Sequence, residues 1–187
     1  MNKIWITSDL HFCHNKPFLY EPRGFKSIDE HDATIIENWN KIVDPLDTVY
    51  ILGDLMLNDN EAGMARLDML NGVKNVIIGN HDTDNRVNQY WSDISLNVVG
   101  YATMLKYGKW RFYLSHYPTI TSNYDENDRP LHCQTINLCG HTHTKDRFVD
   151  MHKGNIYHCE LDAHNNAPVL IDDIITDLQS YYKKESK

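Results

Sequence analysis

Apolar and polar positions along the chain follow two different periods. Short apolar runs of strand length occupy residues 3–7, 48–52 and 76–78, and each is followed at once by polar residues. Longer segments at residues 28–41 and 61–70 repeat apolar positions every three or four residues, as one face of an amphipathic helix does. The first half of the chain is therefore predicted to alternate strands and helices, which is typical of an α/β fold.

The predicted helices carry their own boundary signals. Ser27 is followed three residues later by Glu30, which is the spacing of a capping box and marks the start of the first helix. Asn71 and Gly72 end the second helix, because both residue types favour the turn that closes a helix.

The second half of the chain is richer in strand patterns. Two arms at residues 101–107 and 110–115 flank Gly108 and predict a hairpin. A polar, turn-rich stretch at residues 119–132 is interpreted as a surface loop. The two halves together predict one α/β domain over residues 1–187, with a mixed sheet arranged as two packed sheets. Three further strands and a terminal helix are predicted at residues 136–139, 155–161, 169–171 and 172–184.

Composition and charge restrict the classes of partner. The 187 residues are 41% hydrophobic and 24% charged, as in an ordinary globular protein. Twenty-six acidic residues against 18 basic ones give a formal charge of −8, which disfavours extended nucleic-acid binding and attraction to anionic membranes. Bound divalent cations would offset acidic residues locally, so an anionic substrate is still compatible with this charge.

Cysteine usage and the first residues indicate the compartment. The four cysteines have no CxxC spacing, and the chain enters Asp9 and His11 without the apolar stretch of a signal peptide. No segment approaches the roughly 20 apolar residues that a membrane-spanning helix needs. We therefore expect reduced thiols, no membrane partner and a cytoplasmic location.

Potential metal ligands follow several of the predicted strands. Because strand ends at one edge of an α/β sheet meet in space, ligands that are far apart in the sequence can converge there. Asp9 and His11, two residues apart, would share one face of an extended chain. The residues of this kind are Asp9, His11, Asp54, Asn80, His116, His141 and His143.

The chemistry of these side chains restricts the metal. Oxygen and nitrogen ligands suit Mn, Fe, Zn or Ni better than thiolate-selected metals. Seven ligands are too many for one metal site with an open position, and a carboxylate such as Asp54 can bridge two ions. Two metal ions about 3.5–4 Å apart form the clamp that hydrolyses phosphoesters. Other interpretations are open: residues 79–82 can form a turn, His116 can bond to backbone, and residues 140–143 can serve one metal, two metals or none.

The order of these motifs resembles that of a known family, the calcineurin-like metallophosphoesterase superfamily. The resemblance runs from residue 4 to about residue 171 and rests on Asp9-x-His11, Gly53-Asp54, Gly79-Asn80-His81-Asp82, His116 and Gly140-His141-x-His143. Other stretches resemble a small bacterial and phage-type branch, namely Asp9-Leu-His-Phe-x-His14, Trp39-Asn40, Asp47-Thr-Val-Tyr-Ile-Leu-Gly-Asp54 and Asp162-Ala-His-Asn165.

The resemblance implies a fold and a mechanism. The fold would be a four-layer α/β/β/α sandwich with two mixed sheets and two divalent metal ions at the strand ends. His81 would protonate the leaving oxygen or bind phosphate, and a metal-activated water would be the nucleophile. The family pattern divides the ligands into Asp9, His11 and His143 on the first ion, Asn80, His116 and His141 on the second, and Asp54 as the bridge.

These implications predict a metal-dependent phosphoric ester hydrolase. Its substrate would be a small or medium phosphate mono- or diester, with a phosphodiester or nucleotide favoured. Mn²⁺ is the expected activating ion, with Fe, Zn or Ni as alternatives. His14, Arg23 and Arg129 are candidate substrate contacts. The alternative for His14 is a supporting or exposed histidine, and the alternative for each arginine is solvated surface.

Departures from the family pattern limit the choice of function. The residues after Gly53-Asp54 lack the arginine of the protein phosphatases, and Asp82 stands where those enzymes have glutamate, so a protein serine/threonine phosphatase is disfavoured. A non-catalytic interaction scaffold is the other alternative, although such relatives usually lose ligand residues. Cys13 and Lys16 stand where the branch more often has glycine and asparagine, and no role is assigned to them.

Overall fold

The computed structural model describes residues 2–121 and 131–185 of the chain. Within these residues, nine strands form two sheets and five α-helices pack on them. The prediction of an α/β fold with two mixed sheets is confirmed. Arg129 and most of the predicted loop at residues 119–132 lie outside the described residues.

Four strands of the first sheet are parallel, and one is antiparallel. The spatial order is β4-β3-β2-β1-β9 for β1 (Ile4–Thr7), β2 (Thr48–Leu52), β3 (Val73–Ile77), β4 (Leu96–Gly100) and β9 (Val169–Leu170). Only β9 runs antiparallel to its neighbour, β1. The carboxyl ends of β1, β2 and β3 therefore lie at one edge of the sheet.

The second sheet is also mixed. Its spatial order is β5-β6-β7-β8 for β5 (Ala102–Tyr107), β6 (Trp110–Ser115), β7 (Thr135–Cys139) and β8 (Ile156–His158). The first two strands form the predicted antiparallel hairpin, and the other pairings are parallel. A single parallel bridge between Ser8 and Glu160 joins the loops that follow β1 and β8. This bridge brings the ends of the two sheets together.

Three of the five helices cover one face of the first sheet. The five helices are α1 (Pro17–Tyr20), α2 (Ile28–Ile42), α3 (Asn60–Asp68), α4 (Asp84–Ser92) and α5 (Ile171–Glu185). Trp39, Leu67 and Tyr90 from α2, α3 and α4 share a core with Val49 and Ile51 of β2. Each such buried side chain contributes roughly 1.5–3 kcal/mol of hydrophobic stabilisation.

The opposite face of the first sheet packs against the second sheet. Leu52 and Ile77, on this face because side chains alternate along a strand, share a second core with Phe112 and Leu138. Ile174 of α5 joins the same core. None of the helices in the described ranges is long and apolar enough to cross a membrane.

Some element boundaries differ from the sequence prediction. The start of α2 is confirmed, since Ser27 Oγ accepts a hydrogen bond from the Glu30 amide at 3.2 Å. The predicted strand at residues 155–161 is too long: Asn155 has a left-handed φ of 57° and Leu161 starts a 3₁₀ turn. Helix α4 was not predicted: its nine residues are mostly polar, and Tyr90 is its only buried side chain.

Candidate metal centre

Left-handed backbone carries many of the predicted ligands into the centre. Such a conformation costs about 1–2 kcal/mol per residue, although Asp and His tolerate it better than most residues. The expectation that Asp9 and His11 lie in extended chain is wrong, because the strand has ended and the backbone curls between them. The five left-handed ligands are Asp9 (φ 60°), His11 (50°), Asp54 (57°), His141 (77°) and His143 (52°).

The two aspartates are oriented in the same way. Asp9 Oδ2 accepts the His141 amide at 2.9 Å, and Asp54 Oδ1 accepts the His81 amide at 2.8 Å. Each carboxylate therefore binds a backbone N–H that follows another strand and leaves its second oxygen for the interior of the centre. Both side chains are almost completely buried.

Glycines allow these aspartates to approach the neighbouring backbone. A Cβ on Gly79 would lie 2.3 Å from Asp54 Oδ1, and a Cβ on Gly140 would lie 2.2 Å from Asp9 Oδ2. The Gly140 position would also meet Ser8 Oγ at 2.0 Å. Both glycines are therefore required for contact between strands rather than for an unusual φ.

Three donor atoms from distant parts of the sequence converge beside β1. We call Asp9, His11 and His143 the first donor group. Asp9 Oδ1 lies 3.6 Å from His11 Nε2 and 3.5 Å from His143 Nε2. The two imidazole nitrogens are 3.1 Å apart. These three residues could hold one cation.

Three other donor atoms converge beside the ends of β3, β6 and β7. We call Asn80, His116 and His141 the second donor group. Asn80 Oδ1 lies 2.7 Å from His116 Nε2 and 2.8 Å from His141 Nδ1. Asp54 Oδ2 stands between the groups, 3.7 Å from His11 Nε2 and 3.6 Å from His116 Nε2.

These distances fit metal coordination. Two ligand atoms that each bind one ion at about 2.1 Å stand about 3–3.5 Å apart, close to the separations in both groups. Asp9 Oδ1 is buried, and among the described residues no donor forms a hydrogen bond with it. His116 Nδ1 lies 2.8 Å from the Leu52 carbonyl, to which it must donate, so its Nε2 directs a lone pair at Asn80 Oδ1. A cation would stabilise these otherwise repelling lone pairs.

The pKa values of two of these residues also fit a metal site. Burial lowers the pKa of His11 to about 3, so its imidazole is neutral at physiological pH, as a metal ligand must be. Burial raises the pKa of Asp54 to about 6, and the neighbouring Asp9 carboxylate acts in the same direction. Positive charge at the centre would reverse that effect and keep Asp54 ionised.

Comparison with known proteins identifies the family. Residues 2–159, most of the chain, match the calcineurin-like phosphoesterase superfamily domain. The chain belongs to the calcineurin-like phosphoesterase superfamily. This membership supports a phosphoesterase function that depends on metal ions, and the first and second donor groups contain candidate ligands for them.

Proteins similar to this domain in sequence include an archaeal and a phage protein, and a bacterial protein shares its fold. An uncharacterized protein of Methanocaldococcus jannaschii is 46% identical over 84 residues, which are 44% of this chain and only 48% of that relative. The gene 66 protein of Mycobacterium phage L5 is 31% identical over 170 residues, 77% of this chain and 79% of that protein. A crystal structure of a protein of unknown function from Aquifex aeolicus has the same fold, with a TM-score of 0.69 and 21% identity over 94% of this chain and 99% of that one.

The predicted proton donor lies at the edge of the phosphoesterase centre. His81 is exposed, and its ring meets the His11 ring edge-on with centroids 5.5 Å apart. His14 lies beside both rings, 5.3 Å from His11 and 6.3 Å from His81. The His14 Nδ1 atom is buried, and no hydrogen-bond partner reaches it among the described residues.

The two arginines predicted as substrate contacts have different outcomes. Arg23 lies beneath the first donor group, with its side chain fully buried. Its guanidinium contacts Asp162, His31 and the Asp9 carbonyl. Arg129 lies outside the described residues, so its predicted role stays a prediction.

Two acidic residues support the ligand loops without a role assigned from the sequence. Asp82 accepts hydrogen bonds from the amides of Gly79, Asp54 and Leu55 and from the Tyr90 hydroxyl, at 2.8–3.2 Å. Asp162 contacts Nδ1 of a ligand imidazole and the Arg23 guanidinium. Both lie inside motifs that resemble the family, but nothing in a sequence names the partners of a buried carboxylate.

Glu160 supports the loop between the two closely spaced histidines. Its Oε1 accepts a hydrogen bond from Thr142 Oγ1 at 3.0 Å and from the Thr144 amide at 3.3 Å. The same oxygen lies 3.1 Å from His158 Nδ1. The side chain of Thr142 therefore bonds to a buried carboxylate, while His141 and His143 on either side of it belong to different donor groups.

Proposed function

We propose that this protein is a phosphoesterase that uses two divalent metal ions to hydrolyse phosphate mono- or diesters, with a phosphodiester or nucleotide favoured. The observation that carries the proposal is the convergence of seven donor residues into two groups that share Asp54. A single structural ion would not need a second set of ligands. The retention of every donor also disfavours a non-catalytic scaffold.

The proposed division of ligands follows the two groups. Asp9, His11 and His143 would hold one ion, Asn80, His116 and His141 would hold the other, and Asp54 would contact both. Such a pair of ions, when bound, would supply Lewis-acid polarisation of the phosphoryl oxygen and would lower the pKa of a water molecule. The protein contributes imidazoles and buried carboxylates that need little reorganisation when charge develops.

His81 is proposed to protonate the leaving oxygen. Its backbone amide is fixed to Asp54, so the residue is anchored to the centre, while its exposed ring is free to meet a substrate. A general acid in this position contributes about 10²–10⁴-fold to a rate. Among the neighbouring histidines, His14 could bind the phosphate from the side of His11.

Two exposed aromatic rings support a substrate with an aromatic group, such as a nucleotide. Tyr117 is 51% exposed and packs on His141 with ring centroids 4.7 Å apart. Phe18 is 70% exposed and packs on His14 at 5.6 Å. Each ring presents an open face beside the centre, and base–aromatic stacking contributes about 1–3 kcal/mol per base.

The proposal is tested with a chromogenic phosphodiester and metal-free full-length protein. We expect turnover to return on addition of Mn²⁺, with Fe²⁺, Zn²⁺ or Ni²⁺ as alternatives, and to stop when a chelator is added. Absence of turnover with all four ions would favour the scaffold. The same assay with a monoester, a nucleotide and a phosphoserine peptide ranks the substrate classes. Rapid hydrolysis of the peptide would support the disfavoured alternative, a protein serine/threonine phosphatase.

The role of His81 has its own test. His81→Ala should lower kcat about 10²–10⁴-fold while two Mn²⁺ ions still bind, because the side chain is not among the proposed ligands. His152→Ala, which removes an exposed histidine from a distant turn, is the matched control and should leave kcat unchanged. Near-normal turnover of His81→Ala would remove its role as the acid.

A further inference from the structure

A buried ion pair lies directly behind one of the candidate ligands. Arg23 donates from Nε to Asp162 Oδ1 at 3.1 Å and from Nη2 to Asp162 Oδ2 at 2.7 Å. The Arg23 side chain is fully buried, and that of Asp162 is 5% exposed. Such a two-point contact fixes both the position and the plane of the carboxylate.

The carboxylate in turn fixes an imidazole of the first donor group. Asp162 Oδ2 lies 3.1 Å from His143 Nδ1. The two hydrogens on Arg23 Nη2 have closer acceptors, Asp162 at 2.7 Å and the Asp9 carbonyl at 2.8 Å, than His143 Nδ1 at 3.3 Å. His143 Nδ1 therefore donates to Asp162, and Nε2 is the ring nitrogen that faces Asp9 and His11.

The same arginine also holds the backbone of a second ligand. The hydrogen bond from Nη2 to the Asp9 carbonyl restrains a residue whose left-handed φ of 60° is unfavourable for any side chain. Residues 9 and 143 are far apart in the sequence, and Arg23 joins them. Loss of Arg23 would release two of the three residues of the first donor group at once.

Further bonds leave the guanidinium no freedom to turn outwards. Arg23 Nη1 lies 2.9 Å from His31 Nε2, which must accept because arginine only donates. His31 Nδ1 then donates to Asp32 at 2.8 Å, and the other oxygen of Asp32 accepts the Cys13 amide and pairs with Arg66. The network thus also restrains the loop that contains His11.

We propose that Arg23 and Asp162 are positioning residues that set the affinity of the first donor group for its metal by orienting His143 and Asp9, and that Arg23 does not contact the substrate phosphate. The inference rests on the metal centre of the proposed function. It concerns metal binding rather than turnover, so the two are tested separately.

The deciding experiment is a calorimetric titration of metal-free full-length protein with Mn²⁺. Wild type should bind two ions. Asp162→Asn keeps the shape of the side chain but weakens the Arg23 pair, and it should lower the affinity of one site about 10–100-fold, with the other within threefold. Unchanged affinities, an equal loss at both sites, or no Mn²⁺ binding by wild type would overturn the proposal.

Arg23→Lys separates positioning from phosphate contact. It keeps the positive charge but loses the two-point geometry, so the same single site should weaken, while KM for the phosphodiester at saturating Mn²⁺ stays within twofold. A higher KM with intact Mn²⁺ affinity would make Arg23 a phosphate ligand and overturn the proposal. If Asp162→Asn fails to fold, the result for Arg23→Lys decides.

The matched control is Asp177→Asn, which removes the carboxylate of the Arg147–Asp177 ion pair beside α5. It should leave both Mn²⁺ affinities unchanged. Wild type that binds two ions without hydrolysing any ester would contradict the proposed function alone, because the positioning role is judged from the affinities.

Discussion

The two donor groups are held in place in different ways. Behind the first group, the Arg23–Asp162 pair contacts a ligand side chain, the imidazole of His143. Behind the second group, Asp82 contacts backbone, accepting hydrogen bonds from the amides of Gly79 and Asp54. One support orients a ring that would otherwise rotate, and the other replaces hydrogen bonds that strands lose where they end.

This difference separates metal affinity from stability of the fold. An imidazole that loses its hydrogen-bonded carboxylate loses the contact that orients it, so metal affinity falls. A buried amide that loses its acceptor is left without a partner, which costs about 1–3 kcal/mol for each group. Buried carboxylates beside one centre therefore have unequal roles, although the sequence presents them alike.

Replacing the backbone support should have the largest effect on stability. Asp82→Ala leaves three buried amides and the Tyr90 hydroxyl without an acceptor, so we expect a loss of at least about 3 kcal/mol in the free energy of unfolding. Urea denaturation of the metal-free protein measures it. A loss below about 1 kcal/mol, the cost of a single unmatched amide, would break the comparison.

A substitution at the junction of the groups should have an intermediate effect. Gly140→Ala would push a Cβ against Ser8 Oγ and Asp9 Oδ2, which costs about 1–3 kcal/mol. Because Asp9 must move, we expect weaker Mn²⁺ binding as well. Gly108→Ala is the control. Its left-handed φ of 56° means that the substitution lowers stability as well. Its Cβ meets no atom within 4 Å, so Mn²⁺ affinity should not change. Normal Mn²⁺ affinity in Gly140→Ala would contradict the close contact.

Removing one bond of the backbone support should have the smallest effect. Tyr90→Phe deletes the hydroxyl that donates to Asp82 Oδ1 at 2.9 Å, while the Leu55 amide still binds the same oxygen. We expect a loss of about 1 kcal/mol in thermal or urea denaturation and no change in Mn²⁺ stoichiometry. A loss as large as that of Asp82→Ala would mean that the hydroxyl, rather than the amides, is the main partner of Asp82.

Much of the fold could be predicted from local pattern. Apolar runs predicted β1 and β2, and the Ser27 cap predicted the start of α2, because these signals act within a few residues. Helix α4 was missed since most of its residues are polar and its only fully buried side chain is Tyr90. Its burial is decided by contact with Asp82 and the first core, not by its own composition.

The candidate site divides in the same manner. The sequence by itself determined which residue types follow the strands, and parallel strands bring their ends to one edge, so the seven donors could be predicted. The tertiary structure decided the left-handed turn at Asp9 and His11, and the partners of Arg23, Asp82 and Asp162. The physical reason is the sequence separation of the interacting residues. A strand end is set by neighbours in the chain, whereas the partner of a buried charge is set by side chains that only folding brings within 3 Å.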